Sequence, residues 1–216
     1  SQLKDPDSST SAEEANAAVG EAFNYNLYER PFTGDAMEYR PDLDITGAQL
    51  SLGDDFIYVE IMLQGENAAG GLQGTYGFEV DHDNDRRGDF LLLASNVQTE
   101  WSTDGVFVWE DSNTDVGGET PITSDNLPGS GYDLVVFEEA INAADTDLAW
   151  ARINPSDPTA VQLAIKPSLV NNAENFVWWA VVDASVMEPA WYDYNDHFTL
   201  EEAGSLVAGL VEYPVK

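Results

Sequence analysis

Apolar residues recur at every second position through much of this chain. A half-buried strand requires that repeat, because its successive side chains point to opposite faces. Ile57, Val59, Ile61 and Leu63 share one parity, and Gly53-Asp54 just before them predicts a turn that folds this run back on Ala48, Leu50 and Leu52 as a hairpin. Tyr76, Phe78 and Val80 share another face, leading into an acidic stretch from which Phe90–Leu93 emerges. Further strands are expected at Val106–Trp109, Leu134–Phe137, Leu148–Ile153, Val161–Ile165 and Phe176–Val182, separated by segments rich in Gly, Pro, Asn and Asp. In the Val161 run the alternate residues Gln162, Ala164 and Lys166 turn one side to water.

One short helix is expected near the start. Thr10-Ser11-Ala12-Glu13 has capping-box spacing, an Ala-rich stretch follows to Val19, and Gly20 is a natural stop. The chain thus divides into a polar tail with that helix (1–20) and a strand-rich domain (21–216). With roughly nine or ten strands, the fold class is all-β. Antiparallel sheets with one wet face must stack to bury the other, which gives an antiparallel β-sandwich, jelly-roll-like in form. The segment Asp111–Ser130 has little apolar content and reads as a long loop. Tyr192–Thr199 is too polar and aromatic for a plain strand, whereas Val211–Val215 is expected at a sheet edge.

Composition narrows the partners. The 216 residues carry 40 Asp and Glu against 8 Lys and Arg, a formal charge of −32. Such a surface repels nucleic acid and anionic membranes and favours divalent cations and neutral or basic partners. No cysteine is present, so disulfides, thiolate metal sites and cysteine nucleophiles are all excluded. No run approaches the roughly 18 apolar residues of a membrane helix, so no transmembrane segment is expected. The polar opening Ser1–Thr10 resembles the tether that follows a removed signal peptide, and an extracellular or cell-surface location is the working expectation.

The segment Asp81-His82-Asp83-Asn84-Asp85-Arg86-Arg87-Gly88-Asp89 concentrates the candidate chemistry. Carboxylates at Asp81, Asp83, Asp85 and Asp89, with the Arg87 carbonyl and water, would supply the six to eight hard oxygens, at roughly 2.3–2.6 Å, that Ca2+ prefers. It is not an EF-hand, because Arg86 and Leu92 stand where that loop has glycine and a bidentate Glu. A candidate second cation site is Asp193, Asn195 and Asp196, completed by Asp42 and Asp44. Six tryptophans offer flat apolar plates on which a sugar ring could stack. The candidates are Trp178, Trp179, Trp191 and Tyr192; in a strand, adjacent Trp178 and Trp179 must face opposite ways, and burial of both by crossing loops competes with stacking. Catalytic signals are thin. The two histidines, His82 and His197, come with no serine elbow, no HExxH and no phosphate loop, so a non-enzymatic protein is expected.

The opening hairpin Asp42-Leu43-Asp44-Ile45-Thr46-Gly47-Ala48-Gln49-Leu50 to Asp54-Asp55-Phe56-Ile57-Tyr58-Val59, followed by Tyr76-Gly77-Phe78-Glu79-Val80-Asp81, resembles secreted β-sandwiches related to family-nine carbohydrate-binding modules and DOMON domains. The likeness spans about residues 40–200. It implies a calcium-stabilised module that presents extracellular carbohydrate to aromatic plates, and it carries over no definite ligand residue. The competing expectation is a subunit of an extracellular filament or surface layer, self-associating into a polymer by strand addition and calcium. A glycoside hydrolase, needing two carboxylates in a cleft, ranks below both.

Overall fold

A computed structural model describes residues 1–4, 27–29, 32–33, 38–85, 88–114, 116, 131–139, 145–173, 175–183, 197–199 and 212–214. In chain order the strands are β1 (Gln2–Lys4), β2 (Leu27–Glu29), β3 (Phe32–Thr33), β4 (Glu38–Tyr39), β5 (Ile45–Leu52), β6 (Ile57–Leu63), β7 (Thr75–Asp81), β8 (Phe90–Ser95), β9 (Val106–Glu110), β10 (Leu134–Phe137), β11 (Ala149–Asn154), β12 (Asp157–Ile165), β13 (Val177–Asp183), β14 (His197–Thr199) and β15 (Glu212–Pro214). Every period-two run in the sequence has become one of these strands. Among the described residues the helical elements are two 3-10 turns, Pro41–Leu43 and Pro167–Val170. The helix expected at 10–20 and most of the segment 111–130 lie outside the described residues.

The strands form two large sheets. One has the order β1-β5-β6-β12-β11 and the other β10-β9-β8-β7-β13-β2. All neighbours are antiparallel except β13 and β2, which run parallel. The β5–β6 hairpin turns where Gly53-Asp54 predicts, with Leu52 opposite Ile57 and the Gly53 N–H donating to the Phe56 carbonyl at 2.8 Å. Two small pairs, β3–β4 and β14–β15, complete the pattern. His197–Thr199 is therefore a strand after all, because its partner lies far along the chain in the tail and local composition gives no sign of it.

The sheets enclose a common core, and the fold is sandwich-like. Ile57, Val59, Ile61, Val161, Leu163 and Ile165 come from the first sheet, and Tyr76, Phe78, Phe90, Leu92, Val108 and Trp178 from the second. Each such side chain contributes about 1.5–3 kcal/mol on burial, so the parity of these runs decides which way both sheets face. The outer face of the second sheet is also dry at its centre, while Phe107 and Trp109 on β9 stay partly exposed. Leu91, Leu93, Trp179 and Val181 are buried there, together with Tyr132 from the chain between β9 and β10. A strand buried on both faces reads as a continuous apolar run, which is what Phe90–Leu93 is. Glu79, fully buried on that face, accepts the Tyr132 O–H at 2.6 Å.

The outer face of the first sheet carries polar and aromatic side chains, and both β5 and β11 have a backbone partner on their outer side. β1 lies against β5 with Gln2 opposite Gln49, the Leu50 N–H donates to the Ser1 carbonyl at 2.9 Å, and the Trp178 indole donates to the Ser1 hydroxyl at 2.9 Å. Along β11 the β8–β9 connection takes the edge: Ser102 and Ala151 exchange backbone bonds of 3.0 and 2.9 Å, and Ile153 N–H reaches the Gln98 carbonyl at 2.7 Å. No helix among the described residues is long and apolar enough to cross a membrane.

Candidate functional sites: an acidic loop and an aromatic groove

The acidic loop joins β7 to β8. Asp81 ends one strand fully buried, and the Asp89 N–H donates to the Val80 carbonyl at 2.7 Å to close the loop. Asn84 adopts a left-handed φ of 66°, the conformation asparagine tolerates best after glycine, and its N–H donates to Asp81 Oδ1 at 2.6 Å. Asp89 Oδ2 accepts the His82 N–H at 2.6 Å; the His82 ring Nδ1 lies 2.6 Å from the same oxygen, off the line of a hydrogen bond. One carboxylate oxygen from each of Asp81, Asp83 and Asp89 lies within 4.8 Å of the others, Asp81 being buried, Asp89 part-buried and Asp83 exposed. Oxygens on opposite sides of a bound cation stand up to about 5 Å apart, so the three could hold one metal ion.

Asp85 does not join them. The left-handed step at Asn84 breaks the extended alternation, leaving Asp85 exposed with its N–H bonded to Asp83 Oδ1 at 3.0 Å. Arg87 lies outside the described residues. Gly88 sits where no side chain fits, since a Cβ there would overlap the Tyr132 hydroxyl and crowd Glu79 Oε1. Beside the loop a cleft of about 480 Å³ is lined by His82, Asp89, Phe90, Glu110, Leu148 and Leu169. Burial raises the Glu110 carboxyl above the usual range, and Asp133 adds to the rise; His82 opposes it, while Asp111 and Asp89 reinforce it. Asp111 is committed to its own turn, accepting N–H groups of Asn113, Thr114 and Val116 at 3.2, 2.8 and 2.8 Å.

The second cation cluster, Asp193, Asn195 and Asp196, lies outside the described residues, as do Trp191 and Tyr192. Asp42 and Asp44, its expected partners, serve the fold. Buried Asp42 binds Arg40 at 2.7 Å and accepts from Asn67 Nδ2 and Gln73 N–H at 3.1 Å each, and Asp44 accepts the Tyr39 phenol. Trp178 and Trp179 do point to opposite faces, Trp178 into the shared core. Each is only 7% exposed, so neither presents a plate to a ligand and both are corrected from stacking residues to packing residues.

A group of exposed and partly exposed rings lies on the outer face of the first sheet. Tyr58, Ala164 and Trp150 stand at one register level across β6, β12 and β11. Ala164, expected to face water, points outward but is covered; its small side chain leaves a notch between its aromatic neighbours. Trp101 arrives from the β8–β9 connection that hydrogen-bonds to the β11 edge, and its ring centroid stands 6.2 Å from that of Tyr58, tilted by 51°. Phe56 and Asp147 complete a groove of about 270 Å³.

Polar neighbours hold the plates in place. The Trp150 indole donates to Asp147 Oδ1 at 2.6 Å, and the Arg152 guanidinium sits 4.5 Å from the centre of the Trp101 ring, a cation–π arrangement. One pleat along the strands from the aromatic row, about 7 Å away, runs a ladder of polar side chains. Arg152 Nε donates to Gln162 Oε1 at 2.8 Å, Gln162 Nε2 to Glu60 Oε1 at 3.0 Å, and Gln49 to the other Glu60 oxygen. Sequence reasoning missed this site. The alternation Trp150, Arg152, Asn154 marks an outward face on β11, but nothing local ties Trp101 to it. No family model, no curated protein and no solved structure matches the chain.

Proposed function

We propose that this protein is a non-catalytic, extracellular binding module for carbohydrate. The observation that carries the reading is the groove in which Tyr58, Trp101 and Trp150 surround Ala164 on an outer sheet face. Flat rings beside a hydrogen-bonding ladder suit a sugar, whose C–H face stacks on aromatics while its hydroxyls need donors and acceptors nearby. The resemblance of about residues 40–200 to family-nine carbohydrate-binding modules and DOMON domains, read from the sequence alone, points the same way, although the groove residues do not come from it. Asp81, Asp83 and Asp89 hold a structural calcium ion in this reading, fixing the β7–β8 connection. Titration of the tryptophan fluorescence with cello-, xylo-, manno- and chito-oligosaccharides tests it. Trp150→Ala is expected to weaken the best ligand about tenfold or more, the loss of one stacking contact. Equal binding by the variant would remove the groove from the function.

One observation favours the filament reading as a second possibility. β1 is a three-residue strand filling the edge of β5, and the same backbone bonds could be made by β1 of a neighbouring copy. Light scattering with calcium and after chelation separates the two: large calcium-dependent particles support the polymer, a monomer in both states supports the module.

A further inference from the structure

We propose that the groove on the first sheet selects uncharged glycans and excludes those bearing carboxylate or sulfate, with Asp147 as the discriminating residue. The inference rests on the carbohydrate reading and adds the ligand class. Asp147 lines the groove with its side chain about half exposed (49%), and it holds the Trp150 indole through one oxygen while the other lies 3.2 Å from Lys166 Nζ. A second depression shares Phe56 and Asp147 with the groove and is lined also by Asp54, Asp55 and Lys166, three acids against one cation.

The nearby cations are spoken for. Lys166 is bound by Asp145 at 2.8 and 2.9 Å as well as by Asp147. Arg152 packs on Trp101 and donates to Gln162. A uronate or sulfate entering here meets the Asp147 carboxylate, and no Lys or Arg is among the described residues that line the groove; like charges placed together oppose binding strongly. The net charge of −32 acts in the same direction at long range. A neutral oligomer meets no such repulsion: it stacks along Tyr58 and Trp150 over Ala164 and offers hydroxyls to Asp147 and to the Glu60 and Gln162 side chains. The span from Tyr58 to Trp150 crosses two strand spacings, about 9.6 Å, which matches a short linear stretch of sugar better than a single ring.

The test compares neutral oligosaccharides (cello-, xylo-, manno- and chito-) with galacturonate and mannuronate oligomers of equal length, by calorimetry and tryptophan fluorescence on the whole chain. Saturable binding of at least one neutral oligomer is expected, with the uronates weaker by about tenfold or more. Asp147→Asn keeps an oxygen to accept from the Trp150 indole while removing the charge, so it is expected to narrow that gap by strengthening uronate binding. Uronates that bind the unaltered protein as tightly as neutral sugars, or a gap unchanged in Asp147→Asn, would overturn the inference while leaving the carbohydrate reading in place. Failure of every oligomer to bind would remove that reading and the inference with it.

Discussion

Gly88 shows how one residue ties the acidic loop to the rest of the molecule. A methyl group there would collide with the Tyr132 hydroxyl, which itself donates to the buried Glu79 carboxylate at 2.6 Å. Gly88→Ala therefore forces either the loop or that buried hydrogen bond to move. The expected cost is about 2 kcal/mol or more, read as a fall of several degrees in the thermal midpoint; an unchanged midpoint would mean the contact is slack. Glu110 makes the opposite kind of prediction. Its carboxyl is raised by burial and by neighbouring acids, so between its ordinary value and its folded value the folded chain binds more protons than the unfolded one. Stability attributable to Glu110 thus falls as pH rises through that window. Glu110→Gln is expected to raise the midpoint at neutral pH and to change it little at pH values below the ordinary glutamate range. A uniform effect across pH would show that charge is not the cause.

At the scale of elements, the β7–β8 connection is where sequence and structure divide most clearly. Alternate acids between two apolar runs mark an acidic loop between two strands, and the strands are where the runs place them. Which acids converge could not be read from spacing, because the left-handed turn at Asn84 sends Asp85 outward and brings Asp89 back across the loop. A calcium ion bound to the folded loop alone would add about 2.7 kcal/mol at a hundredfold excess over its dissociation constant. Chelation is therefore expected to lower the thermal midpoint on the order of 5–10 °C. Asp83→Ala should abolish most of that calcium-dependent difference. Identical melting with and without calcium would refute the ion's role.

The whole molecule carries a charge of −32, and its self-repulsion opposes the compact state. Raising sodium chloride toward about 1 M shortens the screening length to about 3 Å, so the midpoint in chelator is expected to rise with salt before any specific ion is added. A flat or falling salt response would mean that local pairs such as Lys166 with Asp145 outweigh the global field. Neither candidate site has a Lys or Arg among its described lining residues; the loop carries several acids and the aromatic groove one, Asp147.

By itself the sequence determined the strand runs, the position of the hairpin turn, the inward parity of Ile57, Val59, Ile61 and Leu63, and the acidic character of the β7–β8 loop. These depend on neighbours in the chain, where a period of two and a turn residue carry the information. Tertiary structure alone decided which aromatics are plates and which are packing. Trp178 and Trp179 look conspicuous in the sequence, yet opposing sheets and crossing segments bury both. Trp101 looks like a loop residue, yet backbone bonds from its segment to β11 set it beside Tyr58 and near Trp150. Long-range strand pairing brings these residues together, and pairing between distant segments leaves no mark in the local pattern of either one.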